Sequence, residues 1–144
     1  MSVGAPMARQ STCVAVGGRG VLIEGAPGTG KSTLALALID RGAVLVGDDS
    51  LLLSSKEGTL FASPHPRTLG ILEVRNLGLL PFPCLERAPV ALVLMLDPAA
   101  PRFVEAAERV EIAGVALPFL RLCPHGEALA LKAELALRHY AIPD

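Results

Sequence analysis

The sequence predicts an α/β fold: a mixed sheet built around a phosphate-binding loop, with a hairpin leading into that loop. Three observations carry the prediction. Residues 25–33 read Gly25-Ala26-Pro27-Gly28-Thr29-Gly30-Lys31-Ser32-Thr33, a complete G-x-x-x-x-G-K-[ST] motif set between the apolar run Val21-Leu22-Ile23 and the helix-patterned stretch Leu34 to Ile39. Just upstream, Thr12 to Val16 and Val21 to Ile23 are two strand-like runs joined by Gly17-Gly18-Arg19-Gly20, a hairpin signal. Along the whole chain strand-like runs outnumber helical ones, and short turns join several neighbours, which favours antiparallel pairing alongside parallel.

The elements follow in order. Residues 1–10 read as a loose leader before the hairpin. A helix over 31–41 stops at Gly42, the residue type that most easily ends a helix. Ala43 to Val46 forms a short strand running into Gly47-Asp48-Asp49. Leu51 to Leu53 continues as a strand turned by Lys56-Glu57-Gly58, and Pro64, Pro66 and Gly70 mark a loop. Leu72-Glu73-Val74-Arg75 alternates apolar and charged residues before the turn Asn76-Leu77-Gly78, and Pro81 and Pro83 punctuate the next loop. Val90 to Leu96 is a buried strand, Val110 to Ile112 and Ala116 to Leu122 are later strands, and Glu127 to Tyr140 has helical spacing.

Bulk properties bound the function. A chain of 144 residues, 51% apolar, fits one domain with a proper core, and that core is aliphatic because aromatics are 3% and Trp is absent. A net charge of −1 without a basic run argues against nucleic-acid binding through general phosphate attraction. No apolar stretch approaches the ~18 residues needed to span a membrane, and no secretion signal opens the chain, so a cytoplasmic protein is expected. Cys13, Cys84 and Cys123 lack a C-x-x-C pairing and read as reduced structural thiols.

The chemistry gathers around the loop. Its glycines let backbone N–H groups crowd a polyphosphate while the new helix turns its positive end to the same anion. Lys31 adds a charge near the transferred phosphate, and Ser32 offers a hydroxyl to Mg²⁺. Phosphoryl transfer also needs a carboxylate to hold metal or take a proton. Asp48-Asp49, at the end of an apolar strand, is preferred over Asp97, which precedes Pro98 and reads as a turn. Glu73 and Arg75 point the same way from their strand, so one could reach metal and the other phosphate, although on spacing alone an exposed strand face is the better reading. His65, His125 and His139 lack metal-ligand partners at helical spacing and read as structural or solvated.

The hairpin, the loop, a helix ending in Arg41-Gly42, then Leu45-Val46-Gly47-Asp48-Asp49 and Leu72-Glu73-Val74-Arg75-Asn76-Leu77-Gly78 together resemble the catalytic domain of HPr kinase/phosphorylase, in the short form found in alphaproteobacteria. The resemblance runs from about residue 10 to about residue 122, and 144 residues leave no room for the additional N-terminal domain of longer members. It implies a fold related to phosphoenolpyruvate carboxykinase. It implies an ATP-dependent kinase acting on a serine of the carrier protein HPr, and the reverse reaction, in which phosphate attacks phosphoserine-HPr and pyrophosphate leaves. Carried over residue by residue, Lys31 neutralises phosphate, Ser32 binds Mg²⁺, Asp48 takes and returns the serine proton beside Asp49, and Glu73 is the second metal ligand. Long-form members are hexamers, and the apolar-rich composition leaves room for buried contacts between subunits.

Four positions depart from the family pattern. Gln10, flanked by Arg9 and Ser11, stands where the family has a His, and Gln neither carries charge nor shuttles a proton near neutral pH. Arg75-Asn76-Leu77-Gly78 replaces Arg-Gly-Leu-Gly, with Asn better able than most residues to take positive φ. Thr33 stands where many members have an acid. A late catalytic Arg has two candidates, Arg102 and Arg109. These departures motivate a second reading, a nucleotide-sensing regulatory module that acts through a protein partner. A third reading, an ordinary small-metabolite kinase, needs a lid of clustered arginines, and those here (Arg67, Arg75, Arg87, Arg102, Arg109, Arg121) are scattered.

Overall fold

The structure, a computed structural model, describes residues 5–143. Among the described residues, eleven strands and two α-helices appear in the order β1 (Met7–Arg9), β2 (Thr12–Val16), β3 (Arg19–Glu24), α1 (Lys31–Asp40), β4 (Val44–Gly47), β5 (Leu51–Lys56), β6 (Thr59–Pro64), β7 (Ile71–Val74), β8 (Gly78–Pro81), β9 (Ala88–Leu96), β10 (Glu108–Ile112), β11 (Val115–Leu122) and α2 (Leu129–Tyr140). Nine strands form one curled sheet along the path β1-β5-β6-β9-β3-β2-β4, with β11 also on β9 and β10 on β11; β7 and β8 form a separate ribbon.

The sheet is mixed, as expected. Strand β3 runs parallel to β9, and β9 parallel to β11, while the β2–β3 hairpin and the β2–β4 pair are antiparallel. Because β2 runs opposite to both neighbours, the carboxyl ends of β3 and β4 lie on one edge with the amino end of β2 between them. In α/β sheets, ligands bind at such carboxyl ends.

Both faces are buried. On one face Val14, Ile23, Leu45 and Leu94 pack against Leu34 and Leu38 of α1 and Ala133 and Leu137 of α2. On the other, inside the curl, Cys13, Leu22, Val46, Leu53, Leu60 and Leu117 close on each other. Aliphatic strand residues that alternate between two buried faces give the near-continuous apolar runs seen in β3 and β9.

Three expectations are corrected. Met7–Arg9, read as part of a loose leader, pairs antiparallel with Leu51–Leu53; residues 1–4 lie outside the described residues. Leu51 to Leu53 is the start of a longer strand, β5, whose partner β6 was not anticipated; Glu57 (φ 51°) and Gly58 (φ 79°) make the tight turn between them. Gly78–Pro81, taken as turn and loop, is an edge strand on β7, where a proline at the strand end is tolerated.

Candidate active site

Strand β3 ends at Glu24, and the glycine-rich loop turns the chain into α1. Gly25 has φ 156°, and a Cβ there would lie 2.5 Å from Thr29 Oγ1, so only glycine fits. Thr29 folds back on the loop, its N–H and hydroxyl both donating to Ala26 O at 3.2 and 2.7 Å. Gly30 takes φ 99° at the helix N-cap, without a side-chain cap and without an acid in the first turn. The first N–H groups of α1 are thus left to an external anion.

A pocket of about 300 Å³ opens above this helix start, lined by Pro27, Gly28, Gly30, Lys31, Ser32, Thr33, Asp48, Asp49, Glu73 and Arg75. Lys31, Ser32, Asp48, Asp49 and Glu73 are among them. Gly25, Ala26 and Thr29 shape the loop without lining the pocket, and Gly25 O accepts a hydrogen bond from Lys31 Nζ at 2.8 Å. Arg75 is the pocket's arginine; Arg102 and Arg109 line no part of it.

Asp48 is the hub. It is 7% exposed at the end of β4. Its Oδ1 accepts from Ser32 Oγ at 2.6 Å and from Thr12 Oγ1 at 3.0 Å, and its Oδ2 accepts from the Glu73 N–H at 2.9 Å. Three donors fix the carboxylate's plane and satisfy its charge. Asp49 follows in the left-handed region (φ 58°), its side chain exposed at the pocket. Along β7, Leu72 and Val74 are buried while Glu73 and Arg75 are exposed, so alternation puts both charged groups at the pocket. Asn76 takes φ 74° in the turn into β8, closed by Leu77 N–H donating to Val74 O at 2.9 Å.

The oxygen donors suit a hard cation. Among the described residues no cluster of three or more His, Cys, Asp or Glu is assembled to hold a metal. The pocket instead gathers the Ser32 hydroxyl with the carboxylates of Asp48, Asp49 and Glu73. Mg²⁺ is ordinarily held this way, by one or two carboxylates with substrate phosphates and water filling the remaining positions.

Residues the sequence reading passed over complete the site. Thr12 and Ser11 are both 0% exposed, and Glu24 is 9% exposed. Arg9 grips Glu24 through two bonds, Nη2 to Oε1 at 2.6 Å and Nε to Oε2 at 3.2 Å, and Ser11 Oγ donates to the same carboxylate. The hydrogen bond to Glu24 raises the Arg9 pKa further above its ordinary value. An acid closing an apolar strand next to the loop was the one sequence signal for this group.

The remaining polar candidates serve elsewhere. Asp97 Oδ1 accepts from Ala99 N–H at 2.8 Å, the turn role expected of it. His65 Nδ1 accepts from Arg67 N–H, and His139 lies exposed in the last turn of α2. No helix among the described residues is long and apolar enough to cross a membrane.

Comparison with known proteins agrees with this geometry. The family model of the HPr serine kinase C-terminal domain matches residues 4–85. The HPr kinase/phosphorylase of Streptococcus thermophilus is 34% identical over 137 residues, covering 85% of this chain and 44% of the relative. That of Clostridium tetani is 49% identical over 72 residues, covering 50% of this chain and 24% of the relative. The chain thus spans less than half the length of these curated relatives. Among solved structures, the HPr(Ser) kinase/phosphatase from Coxiella burnetii superposes with a TM-score of 0.82 at 27% identity, covering 92% of this chain and 88% of that one.

Proposed function

The chain belongs to the HPr serine kinase C-terminal domain family, and on that premise we propose that it is an ATP-dependent kinase for a serine of an HPr-like phosphocarrier protein, able also to run phosphorolysis of phosphoserine-HPr to pyrophosphate. The observation that carries the reading is the convergence of Ser32, Asp48 and the Glu73 backbone at the uncapped start of α1, beside Lys31.

The chemistry follows from the side chains. The ATP phosphates lie against the loop N–H groups and the helix start, where partial positive charge is already aligned. Lys31 exchanges its bond to Gly25 O for a phosphate oxygen. Asp48 accepts the proton of the attacking serine hydroxyl as the serine oxygen bonds to the γ-phosphorus and the bond to ADP breaks. In reverse it returns that proton to the serine as phosphate takes the phosphoryl group and pyrophosphate forms. Mg²⁺, held by Ser32 and Glu73, would neutralise charge on the phosphates. Three carboxylates against two cations line the pocket, so a polyphosphate gains from arriving with such a cation. Asp49 and Arg75 also line the pocket. This chemistry belongs to the cytoplasm, where ATP and HPr meet.

The test is incubation with labelled ATP, Mg²⁺ and HPr. Phosphoserine on HPr is expected, and its absence across a range of nucleotide and metal concentrations contradicts the reading. Gln10 at the family's His position, together with a pocket lining that includes neither Arg102 nor Arg109, favours one alternative, a nucleotide sensor that acts through a partner. Asp48→Ala separates the two: a sensor keeps its effect on the partner, and a kinase loses its output.

A further inference from the structure

Two buried hydroxyls stand side by side between the two halves of the site. Strand β2 lies between β3 and β4 and runs against both. Its amino end is therefore wedged between the residue that opens the loop, Glu24, and the residue that closes β4, Asp48. Successive side chains of a strand point to opposite faces. Ser11 accordingly reaches Glu24 on one face, and Thr12 reaches Asp48 on the other. Thr12 Oγ1 also accepts the Asp49 N–H at 3.4 Å, so one hydroxyl touches both acids.

The upstream side of this dipeptide is held as firmly. Ser11 N–H donates to Arg9 O at 3.1 Å, a tight turn with the exposed Gln10 at its apex. Both flanks of that turn, Arg9 and Ser11, bind the Glu24 carboxylate. Arg9 belongs to a strand paired with β5, whose first residue lies three past Asp48. The chain from 9 to 12 therefore ties the start of the loop to both acids through three side chains, those of Arg9, Ser11 and Thr12.

We infer that Arg9, Ser11, Thr12 and Glu24 form a brace that sets the position of the glycine-rich loop relative to Asp48, with Thr12 the positioning residue of that carboxylate. The inference rests on the reading of Asp48 as the proton acceptor and of Ser32, hydrogen-bonded to it, as a metal ligand. Ser32 Oγ and Thr12 Oγ1 share one oxygen of Asp48. Removing the Thr12 hydroxyl leaves Asp48 held by Ser32 Oγ and the Glu73 N–H alone, so the carboxylate shifts toward Ser32 and disturbs the hydroxyl read as holding metal. Binding of metal with nucleotide suffers, whereas loop contacts to the nucleotide itself do not pass through Thr12.

The full chain is titrated with ATP in excess Mg²⁺ and, separately, in chelator. Thr12→Val is expected to weaken Mg²⁺-ATP binding about tenfold and ATP binding in chelator less than twofold, with Thr12→Ser within threefold of the parent. Glu24→Gln shifts Mg²⁺-ATP affinity in the same direction by a smaller factor. Unchanged Mg²⁺-ATP binding in folded Thr12→Val overturns the brace, as does equal weakening with and without metal, which marks a general packing defect. If Thr12→Val does not fold, Thr12→Ser against Thr12→Ala isolates the same hydroxyl, and equal Mg²⁺-ATP affinities there overturn it. Where the parent phosphorylates HPr, Thr12→Val lowers kcat with KM for HPr unchanged. A parent that binds Mg²⁺-ATP without modifying HPr sinks the kinase reading and leaves the brace standing on the binding data.

Discussion

Asp48 accepts three hydrogen bonds from three separate segments, the starts of β2 and α1 and the middle of β7. Asn at this position keeps the shape and turns one acceptor oxygen into a donor, which then faces donors. Asp48→Asn is expected to lower stability by about 1–3 kcal/mol and HPr phosphorylation by a factor of about 10²–10⁴. Denaturation midpoints and initial rates check the two effects separately. Cys13 behaves differently from the other thiols. Burial pushes its pKa up to about 12 from the ordinary 9.0, so the folded thiol keeps its proton where the unfolded one has lost it. Its contribution to stability is complete below about pH 9 and declines as pH rises from there toward 12. Denaturation at pH 8 and pH 10 is expected to show a smaller alkaline loss in Cys13→Ala than in the parent. A thiol reagent on the native protein is expected to reach the less buried Cys84 and Cys123 and spare Cys13.

At the scale of elements, β3 and β9 are the spine that presents the loop. Gly20 lets them approach closely: a Cβ there would lie 2.9 Å from Pro89 O and 3.3 Å from Val90 Cα. Gly20→Ala has to push backbone aside and is expected to cost about 1–3 kcal/mol, read from the denaturation midpoint; an unchanged midpoint contradicts the packing described. The loop, its hairpin, α1, β4 and β7 were legible in the sequence because each carries a local signal: a glycine pattern, an apolar run, or alternation. Strand β1 was not, because Met7-Ala8-Arg9 is exposed or half-buried and its pairing with β5 is non-local. Strand β8 was hidden by its proline and by the exposure of Leu79, features shared with loops. The same limit applied within the site. Lys31, Ser32, Asp48 and Asp49 stand out by motif and strand-end position and Glu73 through the family resemblance, and all five line the pocket. Arg9, Ser11, Thr12 and Glu24 make their contacts only once β1, β2 and β3 are assembled, and no spacing rule connects them.

For the whole molecule, the curled mixed sheet explains why a hairpin precedes the loop. Placing β2 between β3 and β4 brings the loop and Asp48 to one edge and inserts the hydroxyls of residues 11 and 12 between them. An ordinary parallel arrangement would put a helical crossover before the loop and no strand start between its two acidic and basic halves. The sheet also supplies a rigid base, since side chains on both of its faces are buried in separate clusters. On the proposed function, this edge transfers phosphate from ATP to a serine of HPr. Mass spectrometry of HPr after incubation with the full chain, ATP and Mg²⁺, beside Lys31→Ala, tests it most directly. The account predicts one added phosphate on an HPr serine with the parent chain and at least a hundredfold less with Lys31→Ala. Unmodified HPr with the parent chain under conditions where Mg²⁺-ATP is bound, or equal modification by Lys31→Ala, would contradict it.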